Sequence, residues 1–287
     1  MKKVILSLFL LLSLTGCIDK ASDFDLLKLK AEQGDISAQY SLGLSYWNGE
    51  GVEQDYKEAV KWFILAAEQR DASAQRSLGD CYGHGQGVEQ DDKEAVKWYR
   101  LSAEQGYAFG QFSLGDCFYN GQGVEQDFKE AVKWFRLAAE QGNASAQCRL
   151  GVCYLGEYGV IQDRKEAVKW FRLAAEQGDA SAQWNLGYCY SWGAGVQDYK
   201  EAMKWYKLSA EQGHVIAQYS LGLSYWNGQD FKEAFKWFLL VSSNSTGEVF
   251  DEASKSRDDA RKELTQSQIE EATREAEEIQ KRIDEKE

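Results

Sequence analysis

The chain has 287 residues and a formal net charge of −13, and it contains 26 glycines and no proline. This acidity makes nucleic acid and anionic lipid headgroups poor electrostatic partners. A hydrophobic content of 44%, with ten tryptophans, argues against general disorder. The composition therefore predicts a folded, acidic protein that does not bind nucleic acid.

The first residues have the form of an export signal. Two lysines precede an apolar run over residues 4–14, which is too short to span a bilayer. Leu14-Thr15-Gly16-Cys17 then resembles a bacterial lipobox, which implies cleavage before Cys17 and a lipid on its sulfur. A simple secretory leader with an incidental Cys17 is the alternative. Ile18 after the cysteine further implies sorting to the outer membrane.

We therefore expect a signal peptide at residues 1–16, and a lipidated cysteine with a short tether at residues 17–24. The expected location is the bacterial outer membrane, with the chain lipid-anchored and facing the periplasm.

An internal repeat dominates the rest of the chain. The tripeptide Ala-Glu-Gln recurs every 36 residues, and after 35 residues in the last interval. Its copies begin at Ala31, Ala67, Ala103, Ala139, Ala175 and Ala210. A period of this length predicts stacked structural repeats. We expect one N-terminal capping helix and six repeats over residues 25–241, followed by charged capping helices over residues 242–287.

Each repeat is predicted to hold two helices, A and B. Asp35 and its equivalents are good N-caps for helix A, whereas Tyr107 and His214 depart from that pattern. A glycine in the middle of every helix A indicates close approach of a partner helix. Helix B begins at an aspartate such as Asp55, followed three residues later by Glu58, a spacing that predicts a capping box.

The helix B pattern and the loop before it complete the hairpin. Ala59, Trp62, Phe63 and Ala66 form an apolar stripe on helix B, and the tryptophan recurs in all six copies, which predicts core packing. The loop carries Gly-x-Gly-Val in several copies, and its glycines are predicted to supply positive φ for a turn rather than a phosphate cradle.

Two further helices are predicted at the C-terminus, over residues 249–264 and 266–286. Thr265, with Gln268 three residues later, marks the start of the second, which carries a narrow apolar stripe that includes Ile279 and Ile283. We expect a capping helix with a solvated outer face. The alternative is a coiled-coil arm, although three full heptads are not present.

These submotifs together resemble the Sel1-like repeats, relatives of the tetratricopeptide repeats. The resemblance rests on A-E-Q-G, A-Q-x-x-L-G-x-x-Y, G-x-G-V-x-Q-D and E-A-V-K-W, which recur over residues 31–241. It implies an all-α fold, a right-handed α-solenoid superhelix of stacked αα-hairpins. The shortened loop after Asn227 departs from the pattern.

The related tetratricopeptide geometry implies that helix A lines a concave face whose non-core positions bind partners. Carried onto this chain, the expected partner-binding residues are Tyr40, Trp47, Arg76, Asp80, His84, Phe109, Phe112, Tyr119, Trp184, Tyr188, Trp192, Tyr219 and Trp226. Aromatic side chains with polar neighbours are typical anchors of protein interfaces. The alternative is that a tightly curled superhelix buries these rings against one another.

Little in the sequence indicates catalysis. The usual hydrolase and nucleotide-binding motifs are absent, and the two histidines, His84 and His214, have expected structural roles. Four of the six cysteines occupy one position of successive repeats. We interpret them as small buried side chains, because helix-packing distances exceed disulfide reach; disulfide bridges are the alternative. No metal or cofactor is expected.

We therefore expect a monomeric, membrane-tethered scaffold of the bacterial envelope that binds a protein or peptide. Recognition of glycan strands by the aromatic face is a second possibility. Some relatives of this repeat family have been labelled β-lactamases, so an enzyme acting on β-lactams or peptidoglycan is a third and weaker one.

Overall fold

The structure, a computed structural model, describes residues 20–192, 198–244 and 247–285. Over these ranges the chain forms fifteen α-helices. They are α1 (Lys20–Glu32), α2 (Ile36–Asn48), α3 (Tyr56–Glu68), α4 (Ala72–His84), α5 (Asp92–Glu104), α6 (Ala108–Asn120), α7 (Phe128–Glu140), α8 (Ala144–Gly156), α9 (Arg164–Glu176), α10 (Ala180–Ser191), α11 (Tyr199–Ala210), α12 (Val215–Asn227), α13 (Phe231–Asn244), α14 (Glu248–Lys262) and α15 (Gln266–Asp284).

The helices fall into two compact units, Met1–Gln141 and Gly142–Glu287. Within each unit, helix A and helix B of one repeat pack as a hairpin, and helix B packs on helix A of the next repeat. The fold is an all-α solenoid of stacked helical hairpins, as predicted. The predicted leader with Cys17 and the loop Gly193–Val196 lie outside the described residues. No helix in the described ranges has the length and apolarity needed to cross a bilayer.

The start of helix A is capped as the sequence predicts. Asp35 Oδ1 accepts a hydrogen bond from the Ala38 amide at 2.8 Å, and equivalent aspartates or asparagines repeat this contact. Tyr107 makes no side-chain cap, but His214 does, because its Nδ1 accepts from the Ala217 amide at 3.2 Å. One imidazole therefore replaces a carboxylate in the sixth copy.

The capping box predicted for helix B is only half formed. Asp55 Oδ1 accepts from the Lys57 and Glu58 amides, but the Glu58 carboxylate pairs with Lys61. The Asp55 amide has another partner, the Tyr46 carbonyl of helix A at 2.9 Å. Because that amide is already bonded, the glutamate is released to form an i,i+3 ion pair, and all six copies show it.

The glycine in the middle of helix A marks a close ring contact, as predicted. A Cβ added to Gly43 would lie 2.5 Å from the Phe63 ring, and one added to Gly151 would lie 2.7 Å from the Phe171 ring. The other four copies place a helix B ring at the same point. The packing of each hairpin therefore depends on the absent side chain.

A ladder of glutamine side chains ties each helix A to the end of its own helix B and to the helix that precedes it, as in the bond from Gln75 to the Ala67 carbonyl at 3.1 Å. Gln39, which is buried, donates to the Ala31 carbonyl at 3.2 Å. Its Oε1 accepts from Gln69 at 2.7 Å, and Gln105 donates in the same way to Gln75. In the C-terminal unit, Gln177 donates to Gln147 at 2.8 Å. Buried amides that would otherwise be unpaired thus fix the register between neighbouring repeats.

The two predicted C-terminal helices are α14 and α15, and their bounds lie within two residues of the prediction. Thr265 forms the predicted capping box with Gln268 at the start of α15. Both helices pack on α13, the last helix B. As a result Trp237 of α13 is only 1% exposed and Leu240 only 3%.

The helix B tryptophans are not all core residues. Trp237 and Trp134 are buried, but Trp62, Trp98, Trp170 and Trp205 are half-buried. The prediction of uniform core packing is wrong for these four. Trp98, for example, lines an open groove together with Ala67 and Leu101.

Candidate functional site

The predicted aromatic residues of repeats one and three are part of the hairpin packing. The Trp47 ring lies 4.8 Å from Tyr56 and Tyr119 lies 5.2 Å from Phe128, in both cases edge-on to the first ring of helix B. Tyr40 and Phe112 contact the rings of Phe63 and Phe135 at 5.8 and 6.0 Å. Tyr219 and Trp226 repeat the pattern in the sixth copy. These six side chains are half-buried and give the face its shape.

Three of the predicted aromatic residues are exposed. Phe109 in the N-terminal unit is 53% exposed, and in the C-terminal unit Tyr188 is 39% and Trp192 is 75% exposed. An exposed ring of this size has apolar area available for a partner. The predicted aromatic residues therefore fall into two groups. One group packs inside the hairpins, and the other is exposed and available to contact a partner.

The second repeat carries the predicted polar cluster. Arg76 pairs with Asp80 at 3.0 Å, and the Tyr99 hydroxyl donates to Asp80 at 2.8 Å. Burial raises the pKa of Asp80, and the Arg76 guanidinium opposes that rise. His84 Nδ1 lies 2.9 Å from the Asp80 carbonyl oxygen. Arg76 and Asp80 are thus tied to each other and to helix B.

A small polar cleft of about 150 Å³ lies beside this cluster. It is lined by His84, Asp92, Tyr99, Phe112, Asp116 and Gln122, among others. Gln122 donates to Asp92 across it at 3.0 Å. The cleft is too small for a folded element and has room for a single side chain.

A larger cleft, with a volume of about 850 Å³ and a mostly aromatic lining, lies between the fifth and sixth repeats. We call it the aromatic cleft. It is lined by Trp184, Tyr188, Ser191, Trp192, Tyr199, Ala202, Met203, Tyr206, Tyr219, Ser220, Leu223, Ser224, Asn227 and Gly228. None of these side chains carries a charge. In a chain of net charge −13, that absence sets the cleft apart from the surrounding surface.

One wall of the aromatic cleft is a row of neighbouring rings that are tilted towards one another. Trp184 lies 5.9 Å from Tyr188, and Tyr188 lies 6.2 Å from Trp192. The Trp184 indole donates to the Ser220 hydroxyl at 3.1 Å and stacks on His214. Burial lowers the pKa of His214, with Asp179 acting in the opposite direction. Trp184 is therefore fixed, and Trp192 at the outer end of the row is open.

Sequence reasoning found Trp184, Tyr188, Trp192 and Tyr219 but missed the opposite wall. Tyr199, which is 65% exposed, and Met203 come from helix B, on which the sequence predicted no partner-binding residue. Tyr199 is the first residue of helix B, a position that varies between copies, and this variation is the signal that could have pointed to it.

The buried cysteines offer no nucleophile. Cys81, Cys117, Cys148, Cys153 and Cys189 are buried, as predicted, and each is a free thiol. Burial raises the pKa of Cys81 to about 12 and that of Cys189 to about 11, so these thiols are protonated at neutral pH. Across the described ranges no group of three or more His, Cys, Asp or Glu side chains could hold a metal ion.

Solved structures include proteins similar to this chain. A Sel1 repeat protein from Oxalobacter formigenes is 34% identical over 79% of this chain and 86% of that chain, with a TM-score of 0.66. A protective antigen of uropathogenic Escherichia coli, described as displaying an SLR fold, is 30% identical over 93% of this chain and 73% of that chain, with a TM-score of 0.39. No curated protein matches the chain.

The family model for the Sel1 repeat matches six consecutive segments. They are residues 36–71, 72–107, 108–143, 144–179, 180–214 and 215–242. Each segment begins at the first residue of a helix A and runs through the following helix B. The chain therefore belongs to the Sel1 repeat family.

Proposed function

We propose that this protein is a membrane-tethered scaffold of the bacterial envelope that binds a protein or peptide in the aromatic cleft. One observation carries the proposal: an uncharged cleft of about 850 Å³ is flanked by two open rings, Trp192 and Tyr199, which are 75% and 65% exposed. Sel1 repeat proteins are commonly scaffolds for protein–protein interaction, and the fold is typically non-enzymatic.

The chemistry of the aromatic cleft suits a peptide. Tryptophan and tyrosine are the residue types most enriched at the energetic centres of protein interfaces. Serine hydroxyls and the Asn227 amide beside the rings can pair with the backbone groups of an extended chain. Because Trp184 is already held by Ser220, the site is partly preorganised, which lowers the entropic cost of binding.

The proposed membrane tether is a lipid attached to Cys17. Lipidation at this residue would hold the scaffold at a membrane surface without a spanning helix. Replacing Cys17 by Ser is expected to move the protein from the membrane pellet to the soluble fraction after cell fractionation. An unchanged distribution would exclude the anchor and leave the binding proposal intact.

Binding at the aromatic cleft is tested by a double variant, Trp192→Ala with Tyr199→Ala. Both side chains are mostly exposed, so helicity and thermal stability are expected to stay close to those of the wild type. The variant and the wild type are cross-linked in living cells and purified under denaturing conditions. The yield of the cross-linked partner is expected to fall about tenfold or more.

Phe109→Ala is the matched control, since it removes an exposed aromatic ring from the N-terminal unit instead. Its cross-linking yield is expected to match the wild type. Equal yields from the double variant and the wild type would reject the aromatic cleft as the binding site.

Glycan binding is the second candidate, and the same uncharged lining favours it. Aromatic rings beside Ser220, Ser224 and Asn227 could stack on sugar rings and hydrogen-bond to their hydroxyls. Digesting the envelope extract with muramidase before capture separates the two. Capture that survives digestion supports a protein partner, and capture lost with the glycan supports the sugar.

A further inference from the structure

The C-terminal helix α15 fills a groove between two successive helices B. Ile279 and Ile283 of α15 share one buried cluster with Ala210 from the end of α11, and with Trp237 and Leu240 of α13. We call such a groove a B groove. It is lined by the last alanine of one helix B, by the residue three positions after that alanine, and by the tryptophan and leucine of the next helix B. The fifth and sixth repeats thus form a receptor for a helix.

A small residue at the floor of this B groove permits the contact. A Cβ added to Gly213 would lie 3.0 Å from Ile283 Cγ2, so the isoleucine rests directly on the glycine. At the equivalent glycines Gly106 and Gly178, nothing lies within 4 Å of an added Cβ. The same floor is therefore present and uncovered at the repeat 2–3 and 4–5 junctions.

The leucine of each B groove is buried where α15 covers the groove and exposed where nothing does. Leu240, under α15, is 3% exposed, whereas its equivalents Leu101, Leu137 and Leu208 are 45%, 39% and 40% exposed. At the repeat 1–2 junction the open B groove has a volume of about 400 Å³; it is lined by Ala67, Arg70, Trp98 and Leu101, and by the polar residues Glu68, Gln75, Glu104 and Gln105. Arg70 replaces the floor glycine there, so a helix in that groove must lie somewhat further out.

The charges beside each B groove are also repeated. Lys232 pairs with Glu271 and Glu275 of α15, and Lys236 pairs with Glu275 at 2.8 Å. Every helix B carries this pair of lysines four residues apart, just before its tryptophan.

Burial of these lysines separates the occupied groove from the open ones. Lys236 is 10% exposed, whereas its equivalents Lys97, Lys133 and Lys204 are 69%, 60% and 63% exposed, and each of those pairs with a glutamate of its own helix. The open B grooves of repeats 2–3 and 4–5 therefore keep both the glycine floor and the cations that hold α15, and the B groove of repeats 1–2 keeps the cations.

We infer that the B grooves of repeats 1–2, 2–3 and 4–5 bind an acidic amphipathic helix carried by a partner protein. Such a helix would present the stripe that α15 presents, Ala272, Ala276, Ile279 and Ile283, spaced Ala-x3-Ala-x2-Ile-x3-Ile, with glutamates towards the lysine pair. This is helix-in-groove recognition, in which a groove binds apolar side chains spaced about one helical turn apart on one face of the partner helix.

The occupant is a separate protein rather than a second copy of this chain. Each copy already uses its own α15 on α13, where the covalent connection gives an effective concentration in about the millimolar range. A second copy would have to release that helix before offering it. A partner with a free helix of this chemistry has no such cost.

The test uses the full chain and a fluorescent synthetic peptide of residues 266–284, titrated in anisotropy. We expect saturable binding to the wild type. It should weaken about tenfold or more in the triple variant Leu101→Glu, Leu137→Glu and Leu208→Glu, because each glutamate puts a charge on the groove and repels the acidic peptide. A peptide carrying Ile279→Asp and Ile283→Asp should not bind.

Leu223→Glu is the matched control. Leu223 is 37% exposed and lines the aromatic cleft, so this variant should bind the peptide normally even if it loses the partner of that cleft. Binding should also weaken as salt rises, since the lysine pairs are exposed.

Two results would overturn the inference. The first is equal affinity of the wild type and the triple variant for the peptide, or no saturation up to about 1 mM peptide. The second is concentration-dependent dimerisation of the full chain that disappears with Ile279→Asp and Ile283→Asp, which would assign the B grooves to a second copy.

Discussion

Lys236 Nζ lies 2.8 Å from Glu275 Oε2, and this ion pair joins the last helix B to the C-terminal helix. The Lys236 side chain is 10% exposed, so it is one of the few buried charges in the described part of the chain. Burial works against its charged form, but hydrogen bonds to Glu233 and Glu275 outweigh that effect and raise its pKa.

The pair makes stability depend on pH through Glu275. Hydrogen bonds from Lys236 and Lys232 lower the pKa of Glu275 below its usual 4.5. Its contribution to the free energy of unfolding is thus complete above pH 4.5 and is lost as pH falls through the lower pKa of the folded state. Glu275→Gln should therefore lower the free energy of unfolding by about 1 kcal/mol at neutral pH and by progressively less in acid.

Urea unfolding of the two proteins at several pH values measures this difference. Glu278→Gln, an exposed position on the same helix, is the control and should change stability by less than about 0.5 kcal/mol at any pH. A deficit for Glu275→Gln that stayed constant into strong acid would contradict the assignment.

The two glycines of α4 predict opposite responses to alanine. A Cβ at Gly79 would lie 2.5 Å from the Tyr99 ring, whereas one at Gly83 would lie 3.6 Å from the Tyr99 hydroxyl, an ordinary contact. Gly79→Ala should cost about 1–3 kcal/mol through overpacking. Gly83→Ala should stabilise by up to about 1 kcal/mol through helix propensity. Thermal unfolding followed by circular dichroism compares them, and stabilisation by both would refute the close contact.

His214 predicts a second, milder pH dependence. Burial lowers its pKa below 6.5, so the folded state favours the neutral ring whose Nδ1 caps α12. Stability from this group is complete above pH 6.5 and falls as pH drops towards the lower pKa of the folded state. His214→Asp, which restores the cap used by other copies, should remove this decline. Melting temperatures between about pH 7 and pH 5 would show it, and parallel curves for the two proteins would argue against a neutral cap.

The five buried cysteines should be inert in the native protein. Burial raises the pKa of Cys81, Cys117, Cys148 and Cys153 to about 12, so almost no thiolate is present at neutral pH. In a Cys17→Ser background, a colorimetric thiol reagent should react with none of them before denaturation and with all five after it. Fewer than five after denaturation would indicate a disulfide.

Most of the hairpin could be predicted from the sequence, because its determinants are local. The Asp35 cap depends on spacings of a few residues, and the Gly43–Phe63 contact recurs in every copy as a glycine in helix A and a ring in helix B. The capping box at Asp55 failed for a tertiary reason, since the amide that Glu58 would have bonded is taken by the Tyr46 carbonyl of the preceding helix.

The candidate site was less predictable, and the reason is again tertiary. Thirteen residues were predicted on helix A, but Tyr40 and Trp47 turn out to support the hairpin, whereas Tyr199 on helix B opens into the aromatic cleft. The strict recurrence of the helix B tryptophan, Trp98 in the second copy, predicted burial. Whether such a ring is covered depends on the helix packed over it, as α15 is packed over Trp237.

The glutamine ladder has a consequence for how this gene can change length. The bond between repeats runs from a helix A glutamine to a carbonyl of the preceding helix, as in Gln75 to Ala67, whereas the bonds from Gln69 to Gln39 and from Gln105 to Gln75 lie within one repeat. Duplicating a 36-residue block from one helix A to the next would repeat both bonds, and the 35-residue fifth repeat keeps them as well, through Gln212 to Gln183 and Gln183 to Ala175. Natural length variants of this protein should therefore differ by whole repeats or by residues of the loops between helices A and B, and not by residues inside the helices that carry these glutamines.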